Sequence, residues 1–227
     1  MKNTHSTLVS ILLATAAFPL ISVLVLLRFL PDEIPAHFDI NMNVDRWGSK
    51  YESLIMPAVM LIQTVCIYIS SCRSIRHDSS GNNRKVLLIT GITVNLLFAA
   101  LTAFQLTGAV DLASLNKISS DLSLNIVFIL SGAAMVIIGN FMPKCKLNST
   151  IGLRTEWSMA NEEVWSRCQR FGGVLMVICG ISMAVLSAVI KSTAAVIAVN
   201  LIILILMSVL AAVGSKRIYD KVCGDKQ

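Results

Sequence analysis

Six stretches of the 227-residue chain run without a single Asp, Glu, Lys, Arg or His: Leu8–Leu27, Leu54–Ser71, Val86–Thr107, Ser123–Met142, Phe171–Ile190 and Ala194–Gly214. A helix rises about 1.5 Å per residue, so about 20 apolar residues cross a 30 Å hydrocarbon core. The runs are continuously apolar rather than alternating, which argues against a membrane barrel. The predicted fold class is an all-α membrane protein with six transmembrane helices. Hydrophobic residues make up 55% of the chain and charged residues 14%, against about 25% charged in ordinary soluble proteins. That is too little charge to cover a water-facing surface, which disfavours a soluble enzyme, and too much apolar content for disorder. Ala14-Thr15-Ala16 imitates a signal-cleavage site, but it lies inside an apolar stretch that continues to Leu30, so a span is the preferred reading.

Positive charge sets the expected orientation. With the N-terminus inside, the cytoplasmic segments hold fourteen of the 19 Lys and Arg and the outer segments five. The excess predicts a multi-pass protein with both termini in the cytoplasm. The net charge of +6 then reflects bilayer orientation, and nucleic acid is not expected as a partner. None of the six Cys falls in an outer loop and no CxxC pair occurs, so neither a disulfide framework nor zinc is indicated. All three Trp (Trp47, Trp157, Trp165) lie outside the runs. Interfacial anchoring and loop packing are both open for them.

The runs contain six amides: Gln63, Asn95, Gln105, Asn125, Asn140 and Asn200. Their expected role is hydrogen bonding between helices. Gly132 and Gly139 in the fourth run, with Gly172, Gly173 and Gly180 in the fifth, predict close approach of those two helices. Ion-coupled transport usually needs ionisable groups at membrane depth, and the runs carry none.

Two long loops carry the remaining information. The first, residues 28–53, opens with Pro31 and Pro35 and closes with the turn-like cluster Asp45-Arg46-Trp47-Gly48-Ser49-Lys50. It is expected outside, extended at first. His37, Asp39 and Asp45 match no tight metal-ligand spacing, so hydrogen bonding within the loop is expected and no metal or other cofactor. The second, residues 143–170, is expected in the cytoplasm. Ser158 is the expected cap of a helix starting near Met159, with Glu162 and Glu163 in its first turns. The apolar side of that helix is expected on the membrane surface before the fifth span. A bend at Gly152 would aim the Arg154 guanidinium, which can pair with a carboxylate or lipid phosphate. Each half places one span, a long loop and two closely linked spans in sequence. This layout predicts halves at 1–107 and 108–227 related as a 3+3 inverted repeat.

Ile34-Pro35-Ala36-His37-Phe38 with Asp45-Arg46-Trp47-Gly48-Ser49-Lys50 carries a resemblance to the SdpI family of bacterial membrane immunity proteins: it is similar to the family's N-terminal IPxHF…DRxGSK domain. Gly139-Asn140, Asn148, Ile151-Gly152-Leu153-Arg154-Thr155 with Trp157, Glu163-Val164-Trp165 and Gly172-Gly173 are similar to its C-terminal IGxRTxW core. Met42, Glu156, Ser158-Met159 and Cys168-Gln169 depart from the family pattern, the last where Thr-His often stands.

The resemblance implies a non-enzymatic function. The chain would protect its host membrane from a secreted peptide toxin and signal to a cytoplasmic regulator. It makes His37, Phe38, Asp45, Arg46 and Lys50 candidates for recognition at the outer face. It makes Asn140, Asn148, Arg154, Trp157 and Trp165 candidates for the inner core. The alternatives are a transporter or exporter of a small amphipathic or neutral compound, and a lipid-headgroup enzyme, for which no nucleophile–base pair is evident.

Overall fold

The computed structural model describes residues 2–39, 43–74, 81–114 and 120–224. Six long helices dominate it: α1 Lys2–Leu26, α2 Ile55–Ser74, α3 Asn82–Ser114, α4 Ser120–Phe141, α5 Glu162–Val189 and α6 Thr193–Gly224. All six are long and apolar enough to cross a membrane. Large apolar side chains such as Phe18, Ile62, Ile178 and Ile205 stand exposed along them, as lipid-facing surfaces require. α1, α2 and α3 pack on one another; α3 also meets α4, α4 lies along α5, and α5 along α6.

Amides and glycines join the helices. Asn95 of α3 is fully buried, and its Nδ2 donates to the Leu12 carbonyl of α1 at 3.2 Å. Its Oδ1 accepts from Thr64 Oγ1 at 3.3 Å and from Gln63 Nε2 at 3.5 Å, both on α2. One side chain therefore ties three helices where water cannot compete. Asn125 of α4 donates to the Ile190 carbonyl at 3.1 Å, and Asn200 of α6 to Ser187 Oγ of α5 at 2.9 Å.

Glycines set the spacing of α4 and α5. A Cβ on Gly180 would stand 2.6 Å from the Gly132 carbonyl oxygen. One on Gly173 would stand 2.6 Å from that of Gly139. Only hydrogen in place of Cβ permits this approach, so the predicted packing of the fourth and fifth spans holds.

Two expectations need correction. The first loop begins extended as expected, but the cluster Asp45–Lys50 is no turn: the loop folds as an antiparallel hairpin of β1 Glu33–Phe38 and β2 Val44–Ser49, followed by a short 3-10 helix Lys50–Leu54. The chain is thus helical with one small sheet. The helix after the second loop is capped by Asn161, whose side chain accepts from the Val164 N–H at 2.9 Å, not by Ser158. Its first turns do not lie apart from α5; they are its beginning. Val164, Trp165 and Cys168 there are buried in protein, against Ile151, Leu153 and the end of α6.

Candidate functional site

The two motif regions build two separate polar frames. The first is the hairpin. Ile34 anchors it, fully buried in a cluster with Val23, Leu30 and Leu106. Above that anchor the motif's charges are paired. His37 Nδ1 lies 2.7 Å from Asp45 Oδ1 across the two strands. Arg46 reaches forward to Glu52 with two bonds, of 2.9 and 3.3 Å. Gly48 leaves room beneath that pair, since a Cβ there would collide with the Glu52 carboxylate. Lys50 bonds Asp32 twice: its backbone N–H donates to the carbonyl at 3.0 Å and its Nζ to Oδ1 at 2.8 Å. The Lys50 ammonium holds the Asp32 carboxyl below its ordinary value of 3.8. Asp39 accepts from the Asn43 N–H at 2.8 Å.

The hydrogen bonding expected within this loop is therefore present, and the partners Asp32 and Glu52 complete it. The side chain of Phe38, and Met42 altogether, lie outside the described residues. Trp47 is exposed, with Phe29 and Tyr51 exposed beside the hairpin.

The second frame is the loop between α4 and α5. Asn148 folds its first part. Its Oδ1 accepts from the N–H groups of Thr150 and Ile151 at 2.7 and 2.8 Å. Its Nδ2 donates to the carbonyls of Lys146 and Ile151 at 2.7 and 3.1 Å. Trp165 is buried, and its Nε1 donates to the Cys145 carbonyl at 2.9 Å. Burial pushes the Cys145 thiol up to about 12, so it stays protonated and unreactive. The Lys146 N–H donates to Asn83 Oδ1 of α3 at 2.7 Å, fastening the loop to the first group of helices.

Gln169 holds the next part. It is fully buried, accepts from the Leu153 N–H at 2.8 Å and donates to the Leu153 carbonyl at 3.0 Å. Gly152 has φ +116°, and a Cβ on it would stand 2.5 Å from Gln169 Oε1. The bend expected there is real, and only glycine suits it. Ser158, freed from capping, closes a tight turn: its Oγ accepts from the Thr155 N–H and donates to the Leu153 carbonyl, both at 2.8 Å. Thr155 Oγ1 donates to Ser215 Oγ of α6 at 2.9 Å. The last turns of α6 add Ile218, Tyr219, Val222 and Cys223 against Leu153, Val164 and Cys168.

What this frame presents is Arg154 and Trp157. Arg154 is exposed and, among the described residues, makes no ion pair or hydrogen bond. Trp157 is half-buried, with the Lys216 ammonium 5.9 Å from its ring centre. Asn140 is not part of the frame: it is exposed on α4, away from the loop's bonds. Asn83, Gln169 and Ser215 are frame residues that the motifs did not single out. The one available signal, at Gln169, was its departure from the family pattern.

The frame with α5 and most of α6 coincides with residues 144–215, which match the family model described as the SdpI/YfhL protein family. Residues 14–61, from α1 through the hairpin into α2, match a model described as a domain of unknown function (DUF1648). The Immunity protein SdpI of Bacillus subtilis (strain 168) is 28% identical over 221 residues, covering 96% of this chain and 98% of that protein. No solved structure matches. The resemblance carried by the two loops thus extends over nearly the whole chain.

Proposed function

From this kinship with the SdpI/YfhL family, we propose that the chain is an integral membrane immunity protein that protects its host from a secreted antimicrobial peptide. The observation that carries the reading is similarity to an immunity protein over almost the full length of both chains. The geometry supports it. Both motif regions are spent on frames that hold a small number of side chains in place, rather than on a nucleophile and its base. In this reading the chain is multi-pass with both termini in the cytoplasm, and its halves, 1–107 and 108–227, run in opposite senses. The hairpin, with His37, Phe38, Asp45, Arg46 and Lys50, then faces the incoming peptide. Asn148 and Trp165 hold the inner frame, and Arg154 and Trp157 form the surface that meets a lipid phosphate, the toxin's inner portion or a cytoplasmic regulator.

A survival assay tests the reading. The chain is expressed in a sensitive bacterium and challenged with a panel of secreted killing peptides. Survival above vector-only cells is expected for at least one peptide. Arg154→Ala should lower that survival about tenfold at unchanged membrane levels, the scale of a lost charged hydrogen bond. Full protection by Arg154→Ala would remove that residue from the mechanism. Death equal to vector-only cells against every peptide would count against immunity, and an uptake assay would then test transport.

A further inference from the structure

We propose that a groove along α5 binds the headgroup of an anionic phospholipid, in the leaflet on the side of the 143–170 loop. The groove holds about 670 Å³ and is lined by Glu163, Ser166, Arg167, Arg170, Phe171 and Val174. The lining residues fall on one stripe of the helix, recurring at helical spacing over three turns.

The stripe changes character along its length. Its first part offers the Ser166 hydroxyl and two guanidinium groups. Its second part offers Phe171 and Val174, the latter 54% exposed. Arg170 is the last charge before the run Phe171–Ile190, which has none. The polar part therefore lies where headgroups lie, and the apolar part opens onto acyl chains. A soluble anion would use only the upper part; a phospholipid uses both.

The charge also fits. Glu163 and Arg167 pair at 2.9 Å and neutralise each other. Arg170 makes no ion pair among the described residues. The groove thus carries one net positive charge, matched to a phospholipid with one net negative charge. α6 strengthens the field. Phe171 sits against Gly214, its Cζ 2.5 Å from where a Cβ there would be. This seats the exposed Lys216 and Arg217, just beyond Gly214, near the same level. Basic clusters at this depth attract anionic headgroups. The inference does not depend on the immunity reading.

Native mass spectrometry of the purified full chain tests it, with an equal mixture of phosphatidylglycerol and phosphatidylcholine of identical acyl chains. The wild type should retain phosphatidylglycerol preferentially. Arg170→Gln should weaken that preference roughly fivefold, the worth of one basic residue at the membrane surface. Val174→Trp, which fills the apolar floor at an exposed site, should lower retention without removing charge. Arg73→Gln, on α2, should leave the preference intact. The proposal falls if the wild type shows no preference, or if Arg170→Gln retains the lipid like the wild type. It also falls if Arg73→Gln lowers the preference equally, or if millimolar inorganic phosphate abolishes it.

Discussion

The carboxamide of Gln169 meets Leu153 as a neighbouring strand would, accepting from its N–H and donating to its carbonyl. Both bonds are buried, so each half of the amide is needed. Gln169→Leu leaves two backbone groups without partners, and Gln169→Glu turns a donor into a second acceptor facing a carbonyl. Each lost bond should cost about 1–3 kcal/mol. The check is thermal unfolding of the purified protein in detergent: both variants should melt well below the wild type, with Gln169→Glu recovering in part at low pH, where the acid can donate. Gln169 was legible in the sequence only as a departure from a family pattern. Its partner lies sixteen residues away, and nothing local marks which turn of a helix will face which bend of a loop. Arg154 was legible for the opposite reason, because the glycine that aims it is two residues away. Asn140 shows the limit of motif reading: it stands beside Gly139, which packs against α5, yet its own side chain points to the outside.

The helices were legible because lipid imposes length and lack of charge together. The apolar runs and the six observed helices agree, with the helices longer by the polar turns that extend beyond the runs. The hairpin was not legible. β1 contains Pro35, and the pair is held by His37–Asp45, Arg46–Glu52 and Lys50–Asp32 rather than by alternating apolar residues. The cap was misread because Ser158 and Asn161 both suit the position, and the demand of Thr155 and Leu153 for the Ser158 hydroxyl decided between them. At this scale the α4–α5 contact gives the sharpest expectation. Gly180→Leu puts a branched side chain against the Gly132 carbonyl and Met135, so the helices must separate. A loss of about 1–3 kcal/mol is expected, the usual cost of overpacking. A denaturant titration of the protein in mixed micelles reads it, and an unchanged midpoint would mean that the two helices do not rely on this contact.

Across the whole molecule the two frames occupy opposite ends of the bundle's motif-bearing segments, and the orientation read from Lys and Arg assigns each to a side of the membrane. Cysteine labelling in intact cells tests that assignment. Asn43→Cys, in the hairpin, should react with a membrane-impermeant maleimide above the level of the native thiols. Thr150→Cys, in the inner loop, should do so only after lysis. The reverse pattern would invert the topology. The inner frame has a further property that concerns how the protein is made. Its bonds reach back to Asn83 on α3 and forward to Ser215 on α6. Chains emerge from the ribosome N-terminus first. A nascent chain with five spans inserted already contains Arg154 and its loop, but not the end of α6 that closes over them. This frame is therefore finished only after the end of α6 has left the ribosome, and a chain arrested before residue 215 leaves Arg154 on a loop still waiting for its last support.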